Sequence, residues 1–385
     1  MGVSMELFTA QWVQSDGWSA PLPAWDGAAT LVMVYGGSKL LDDPGPLHDV
    51  LRTYPTARVT GCSTAGEIME DTISDDSLTV AIARFARTTL SQVHEQVLSP
   101  NQSFAAGLSL AKRLTSAEPD MRALFVLSDG LGVNGSTLTA GLLEGTEGRV
   151  IITGGLAGDG ERFGRTWVLA DGLPRQGYVS AIGLGGPNIR VGHGSRGGWD
   201  IFGPERRITR SAGNVLFELD ELPALELYKK YLGDRAAGLP ATALLFPLAV
   251  RAPGAMDRQL VRTILAVDER DQSMTFAGDV PEGSMAQLMR ANLDRLIDGA
   301  HAAAQDTATD RTIPGPTLAV AVSCVGRRLI LGRRTEDELE ATLSGLPDNT
   351  PLVGFYSYGE ISPMAPGTCD LHNESMTITT FQETS

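Results

Sequence analysis

Long apolar runs, cysteines and early positive charge are all scarce in this chain, and each shortage removes a class of function. No stretch approaches the ~18 apolar residues of a membrane helix. The best one, ATALLFPLAV at 241–250, is broken by Pro247. No Lys or Arg precedes Lys39, so the basic start of a signal peptide is missing. Cys62, Cys324 and Cys369 are too few and too scattered for a disulfide frame or a Cys-x-x-Cys metal knuckle. The five histidines form no HExxH and no metal-type spacing. The expectation is a reduced, cytoplasmic protein without membrane insertion.

What the chain does have is ordinary globular composition, 42% apolar and 20% charged over 385 residues, long enough for two domains. Its 44 glycines and 21 prolines are spread evenly and read as many tight turns. A formal charge of −15 repels phosphate backbones and anionic lipid, which argues against nucleic-acid and membrane-surface partners. The basic pairs Arg206–Arg207, Arg327–Arg328 and Arg333–Arg334 read as solvated faces.

A repeated unit organises the sequence. LVMVY (31–35), a helix, RVTGCSTAGEI (58–68) and SLTVAIARF (77–85) correspond to TLAVAVSC (317–324), the helix 335–345, LVGFYSYGEI (352–361) and ESMTITTF (374–381). A weaker copy lies between them: ALFVLSDG (123–130), a short helix near 136–144, VIITGGLAGDG (150–160) and TWVLADG (166–172). Asp159 there stands where Glu67 and Glu360 stand. Runs of Val, Ile and Thr suit strands, and 3.6-residue periodicity predicts helices over 221–233 and 281–304. The expected fold is mixed α/β, with two pseudo-repeated lobes of mixed sheets flanked by helices. Residues 1–27 form an arm, 28–220 the first domain and 221–385 the second.

The Gly-rich turns hold the candidate chemistry. Gly61-Cys62-Ser63-Thr64-Ala65-Gly66 has phosphate-loop spacing, but Glu67 stands where that loop needs Lys and would repel phosphates. Ala65 also spoils a nucleophile elbow at Ser63. Gly130-Leu131-Gly132-Val133-Asn134-Gly135 matches a dinucleotide fingerprint, yet the next strand ends in Gly154-Gly155 rather than in a ribose-binding acid. An enzyme of the dinucleotide or Ser/Cys hydrolase type is therefore the lesser alternative to a binding module. Each glutamate alone reads as the cap of a nearby turn. As a matched pair around one cleft, the acids suit an ammonium and the glycine amides a carboxylate, so the expected ligand is amino-acid-like. The predicted ligand-binding residues are Gly61, Cys62, Ser63, Thr64, Gly66, Glu67, Gly155, Asp159, Tyr356, Ser357, Tyr358, Gly359 and Glu360, with no catalytic residue and no metal. His193, in VGHGSRGGW, is the one histidine placed to serve as an axial haem ligand.

GCSTAGEI, GGLAGD (154–159), FGPERRITRSAGNVLFELDELPALELYKKYLG (202–233), PTLAVAVSCVGRRLILG (316–332) and GFYSYGEISP (354–363) together resemble the FIST family. The resemblance implies an N-terminal and a C-terminal FIST domain, a non-enzymatic intracellular sensor of small ligands such as amino acids, and signalling to a separate partner such as a histidine kinase. A subset of that family resembles haem-bound nitric-oxide sensors. The segment GHGSRGGWDI around His193 is longer and richer in glycine than the family pattern.

Overall fold

The computed structural model describes residues 5–239, 241–252, 259–307 and 315–384. The three sequence copies are three like units of a mixed α/β body. Unit one comprises β1 (Met5–Val13), β2 (Thr30–Gly36), α1 (Gly45–Thr53), β3 (Arg58–Ser63), the hairpin β4 (Glu67–Met69) and β5 (Thr72–Ser74), and β6 (Leu78–Phe85). Unit two comprises β7 (Thr89–Gln96), α2 (Ser103–Ala117), β8 (Met121–Ser128), α3 (Gly135–Thr146), β9 (Ile151–Leu156), the hairpin β10 (Val168–Ala170) and β11 (Leu173–Arg175), and β12 (Tyr178–Gly185).

Unit three opens with β13 (Ile189–Arg196) and is then interrupted by an inserted lobe. That lobe holds β14 (Arg206–Ala212), β15 (Val215–Leu219), α4 (Ala224–Leu232), β16 (Leu248–Arg251), β17 (Leu260–Arg262), β18 (Ile264–Asp268), β19 (Ser273–Phe276) and β20 (Met285–Arg290). The unit resumes with α5 (Leu293–Asp306), β21 (Thr317–Cys324), α6 (Val325–Leu331), α7 (Thr335–Gly345), β22 (Leu352–Ser357), the hairpin β23 (Gly359–Ser362) and β24 (Asp370–His372), and β25 (Met376–Glu383).

The units trade hairpins in a cycle. Unit one's hairpin joins β22 of unit three, unit three's joins β9 of unit two, and unit two's joins β3 of unit one. Each of these three sheets therefore has the same order, a borrowed hairpin and then four strands of its own, and the first adds the two-residue strand Gly17–Trp18 at its edge. The inner faces meet on Met33, Tyr35, Phe125, Val320, Phe355 and Phe381, with Tyr35 stacked on Phe355 at 4.9 Å. Because helices cover the outer faces, the central strands are buried on both sides and read as continuous apolar runs.

In each unit a glycine crosses closely over the neighbouring central strand. A Cβ on Gly61, Gly154 or Gly354 would fall 2.3, 1.9 or 1.9 Å from the carbonyl oxygen of Val34, Val126 or Ala321. No side chain fits there, which is why the repeat keeps these glycines. Units two and three cover their outer faces with helix pairs α2–α3 and α5–α7. Unit one has no second helix, and Trp12, Trp18, Leu22 and Trp25 pack over that face instead.

Two expectations change. The leading segment is no separate arm, since β1 pairs along its length with β6 inside the first sheet. The helix expected over 281–304 starts only at Leu293, capped by the Asn292 side chain accepting from the Arg295 amide, and Met285–Arg290 is the strand β20. Met285, Leu288 and Met289 fit a helical period equally well, but pairing of β20 with β14 and β16 wins over local pattern. Repetition relates units within the larger lobe, and the hairpin exchange carries strands of 28–220 into sheets of 221–385 and back.

Candidate functional site

The buried acids of the turns are clamps. The Glu67 carboxylate accepts from Thr64 Oγ1 and from the amide and hydroxyl of Ser77 at 2.9 and 2.8 Å. Glu360 repeats this with Ser357 Oγ at 2.6 Å and with the Ser375 amide and hydroxyl at 3.3 and 2.9 Å. Each clamp ties a turn to the start of its unit's last strand. Burial pushes Glu67 up to about 7 and Glu360 up to about 8, against their hydrogen bonds.

The weaker copy solves the same problem differently. By register Val168 pairs with Cys62 as Glu67 pairs with Phe355 and Glu360 with Gly155, so Val168 and not Asp159 holds the glutamate position. The brace comes instead from Asp129, which accepts from the Gly177 amide at 3.0 Å and Thr166 Oγ1 at 2.9 Å. Its other oxygen takes the Leu131 and Gly132 amides at 2.9 and 2.6 Å. Asp159 lies in a longer loop that only unit two has. It binds Ser38, Arg162 and the Arg165 amide, contacts that hold its carboxyl low against the opposing effect of burial.

The three turns do converge. Ala65 N donates to Tyr356 O at 2.7 Å, Gly158 N to Ser63 O at 2.9 Å and Tyr358 N to Leu156 O at 3.3 Å, a ring that runs once around the pseudo-threefold axis. The clamps themselves lie off this ring, at separate corners. At unit one's corner opens a cavity of about 570 Å³, walled by unit one (Thr64, Gly66, Glu67, Asp75, Asp76), by unit two's loop (Gly160–Arg162) and by α6 (Val325, Arg328).

Charge dominates its walls. Arg328 forms a two-pronged pair with Asp75 at 2.8 and 2.7 Å and donates to Ala65 O at 2.6 Å. Arg162 pairs with Asp159, and Asp76 with Lys39 at 2.5 Å. The bare Gly66 makes room, since a Cβ there would meet Arg328 Nη1 at 2.6 Å. Such a site can present two guanidinium groups and several carboxylates to one small ligand.

Of the predicted ligand-binding residues, Thr64, Gly66 and Glu67 line this cavity, and Asp159 stands behind Arg162. Gly61, Cys62 and Ser63 are buried in β3, and Gly155 in β9. Tyr356 lies beneath Arg328, whose guanidinium is 5.9 Å from the ring centre, and donates to Glu338 at 2.8 Å. Ser357, Gly359 and Glu360 are buried at unit three's corner, and Tyr358 faces a different cavity. The structure thus separates Glu360 from Glu67 rather than setting both on one cleft.

Sequence reading missed Asp75, Asp76, Arg162 and Arg328. The Arg327–Arg328 pair is no solvated face. Arg327 is wholly buried against Glu338 and donates to the carbonyls of Gly197 and Leu296. A charge run on a short amphipathic helix is the one signal that could have suggested it. His193 lies on β13 beside Arg196, Asp306, Asn373 and His372. These walls are mostly polar and offer no pair of apolar faces for a porphyrin, so the residues present do not fit haem. Among the described residues no group of three or more His, Cys, Asp or Glu could hold a metal ion, and no helix is long and apolar enough to cross a membrane.

Comparison with solved structures finds distant likenesses. A chorismatase crystal structure aligns over 100% of both chains at 9% identity and a TM-score of 0.38. A cyanuric acid hydrolase from A. caulinodans covers 92% of this chain and 90% of its own at 8% identity and a TM-score of 0.38. Likenesses this remote carry no functional argument. Comparison with curated proteins finds no match. Family models do match: the FIST N domain over residues 30–222 and the FIST C domain over residues 224–363. Matched over nearly its whole length, the chain belongs to the FIST family, whose domains serve as sensors in signal transduction.

Proposed function

We propose that this chain is a non-enzymatic sensor that binds a zwitterionic, amino-acid-like molecule in the charged cavity and reports its occupancy to a separate signalling protein, such as a histidine kinase, in the cytoplasm. One observation carries the reading. Both family-matched stretches wall a single cavity of about 570 Å³, bringing Arg162 and Arg328 together with Asp75 and Asp76. A ligand carboxylate suits the guanidinium groups, and a ligand ammonium suits the acids.

Other features favour binding over turnover. Cys62 and Ser63 are both wholly buried, and Ser63 Oγ already accepts the Trp167 amide at 2.9 Å. The Asp129 carboxylate occupies the Leu131 and Gly132 amides that a pyrophosphate would need at the fingerprint turn. Ligand contacts to both stretches would favour one arrangement of the halves, which a partner can read as a population shift.

The test is calorimetric titration of the purified chain with the proteinogenic amino acids. At least one should bind, and Arg328→Ala should weaken it by about tenfold or more, since a two-pronged charged contact is lost. If none binds, or if Arg328→Ala leaves affinity unchanged, this reading fails.

A further inference from the structure

The pseudo-threefold relation gives the charged cavity a counterpart in unit three. Cys324 corresponds to Gly37, Tyr358 to Ala65, and the pair Glu374–Ser375 to Asp76–Ser77, where each serine clamps the buried glutamate of its turn. At this counterpart lies a smaller cavity of about 140 Å³ between unit two's Gly130–Val133, unit three's Cys324–Gly326 and the inserted lobe's Thr263 and Leu265. Its walls are largely apolar. Phe163 stacks on Tyr358 with ring centres 4.5 Å apart, and Leu131, Phe163 and Leu265 remain exposed at its edge.

One acid stands directly behind this apolar wall, against Thr263 and Gly326, which line the cavity. Glu374 is wholly buried, and its Oε1 accepts from Thr263 Oγ1 at 2.8 Å while its Oε2 has no partner. Its carboxyl oxygens lie 2.4 and 2.7 Å from where a Cβ on Gly326 would be, so the bare glycine is what admits it to the wall. Its backbone has a φ of 59°, matching the 56° of Asp76 and the 67° of Gly177 at the equivalent place in unit two. Glycine adopts that angle freely, whereas an acidic residue there carries backbone strain. Both positions that keep an acid lie beside a cavity.

We infer that this counterpart is a second ligand site, which takes a small aromatic or branched aliphatic body carrying a primary ammonium group. The volume is close to the ~150 Å³ of an engineered apolar cavity that holds benzene. A buried carboxyl with one idle oxygen calls for a hydrogen-bond donor, which an ammonium supplies, adding its charge to that of the nearby Arg327. The site differs in chemistry from the charged cavity on the other side of the Gly160–Phe163 loop, and it does not depend on what that cavity binds.

Calorimetry on the full chain tests it with phenethylamine, 3-phenylpropan-1-ol and 3-phenylpropionate as probes. Phenethylamine should bind at least about tenfold tighter than the alcohol, and the propionate should not bind. Glu374→Gln should erase the amine's advantage while leaving the alcohol unchanged. Leu265→Trp, at the exposed edge and away from the carboxyl, should weaken amine and alcohol alike, and it keeps the test valid if Glu374→Gln folds poorly. Arg328→Ala should change nothing. Equal binding of amine and alcohol to the unaltered protein overturns the inference, as does amine binding indifferent to Leu265→Trp. Loss of amine binding with Arg328→Ala alone would place the probe in the charged cavity and also overturn it.

Discussion

At the scale of single residues, the buried acids decide how the turns are held and how stability responds to pH. Removing the Glu360 side chain strands the Ser357 and Ser375 donors in the interior. Glu360→Ala should therefore lose about 2–4 kcal/mol in urea unfolding, the cost of unpaired buried groups plus a small void. The pH dependence has a definite sign. Burial raises Glu360 to about 8 from an ordinary 4.5, so between those values the folded state holds more protons than the unfolded chain. Its contribution is fully favourable below the unfolded value and is lost as pH rises through the folded one. Glu67, raised to about 7, acts in the same direction. The melting temperature of Glu360→Gln should gain on that of the parent protein as pH rises from about 5 to about 9, because the amide has no proton to lose. A constant difference across that range would refute the raised value. Arg327 belongs to this scale too: Arg327→Ala leaves Glu338 buried and uncompensated, with an expected loss of about 3–5 kcal/mol by the same measurement.

At the scale of elements, the glycine crossing between adjacent parallel strands sets how closely the units can be built. Gly354→Ala would force a Cβ to 1.9 Å from Ala321 O, a contact with backbone that cannot swing away. The expected cost is about 3 kcal/mol or more, and aggregation on expression would count as the same outcome. Gly45→Ala is the matched control. It sits at the start of α1, a Cβ there meets nothing closer than 3.5 Å, and alanine favours the helix, so its stability should be unchanged or slightly raised. Equal behaviour of the two variants in thermal melts would mean the crossing is not as tight as described.

For the whole molecule, the exchange of hairpins makes the units interdependent. Segments 1–220 and 221–385 each hold a hairpin that completes a sheet in the other. Expressed separately, neither should show a cooperative melt, while mixing them should restore one. Two independently cooperative halves would overturn that view of the architecture. The same exchange explains how the charged cavity comes to be shared by both halves, since unit one's turn and hairpin are seated against α6 and β22.

Sequence alone determined a good deal. The apolar central strands, the glycines at their crossings, the three copies and the mixed α/β class are local signals, because each is dictated by burial and by steric limits within one unit. Helix α7 was legible over its full span, and α3 to within a few residues. Only the tertiary structure decided the rest. Whether Met285–Arg290 is helix or strand depends on partners 34 or more residues away, and its period fits both. That Val168 rather than Asp159 stands in the place of the glutamates follows from pairing with β3, which no spacing encodes. The cavity itself hangs on Arg328 meeting Asp75 across 253 positions of chain. Charge pairing of that kind is specified by where sheets and helices come to rest, and so it cannot be read before the fold has brought the two ends together.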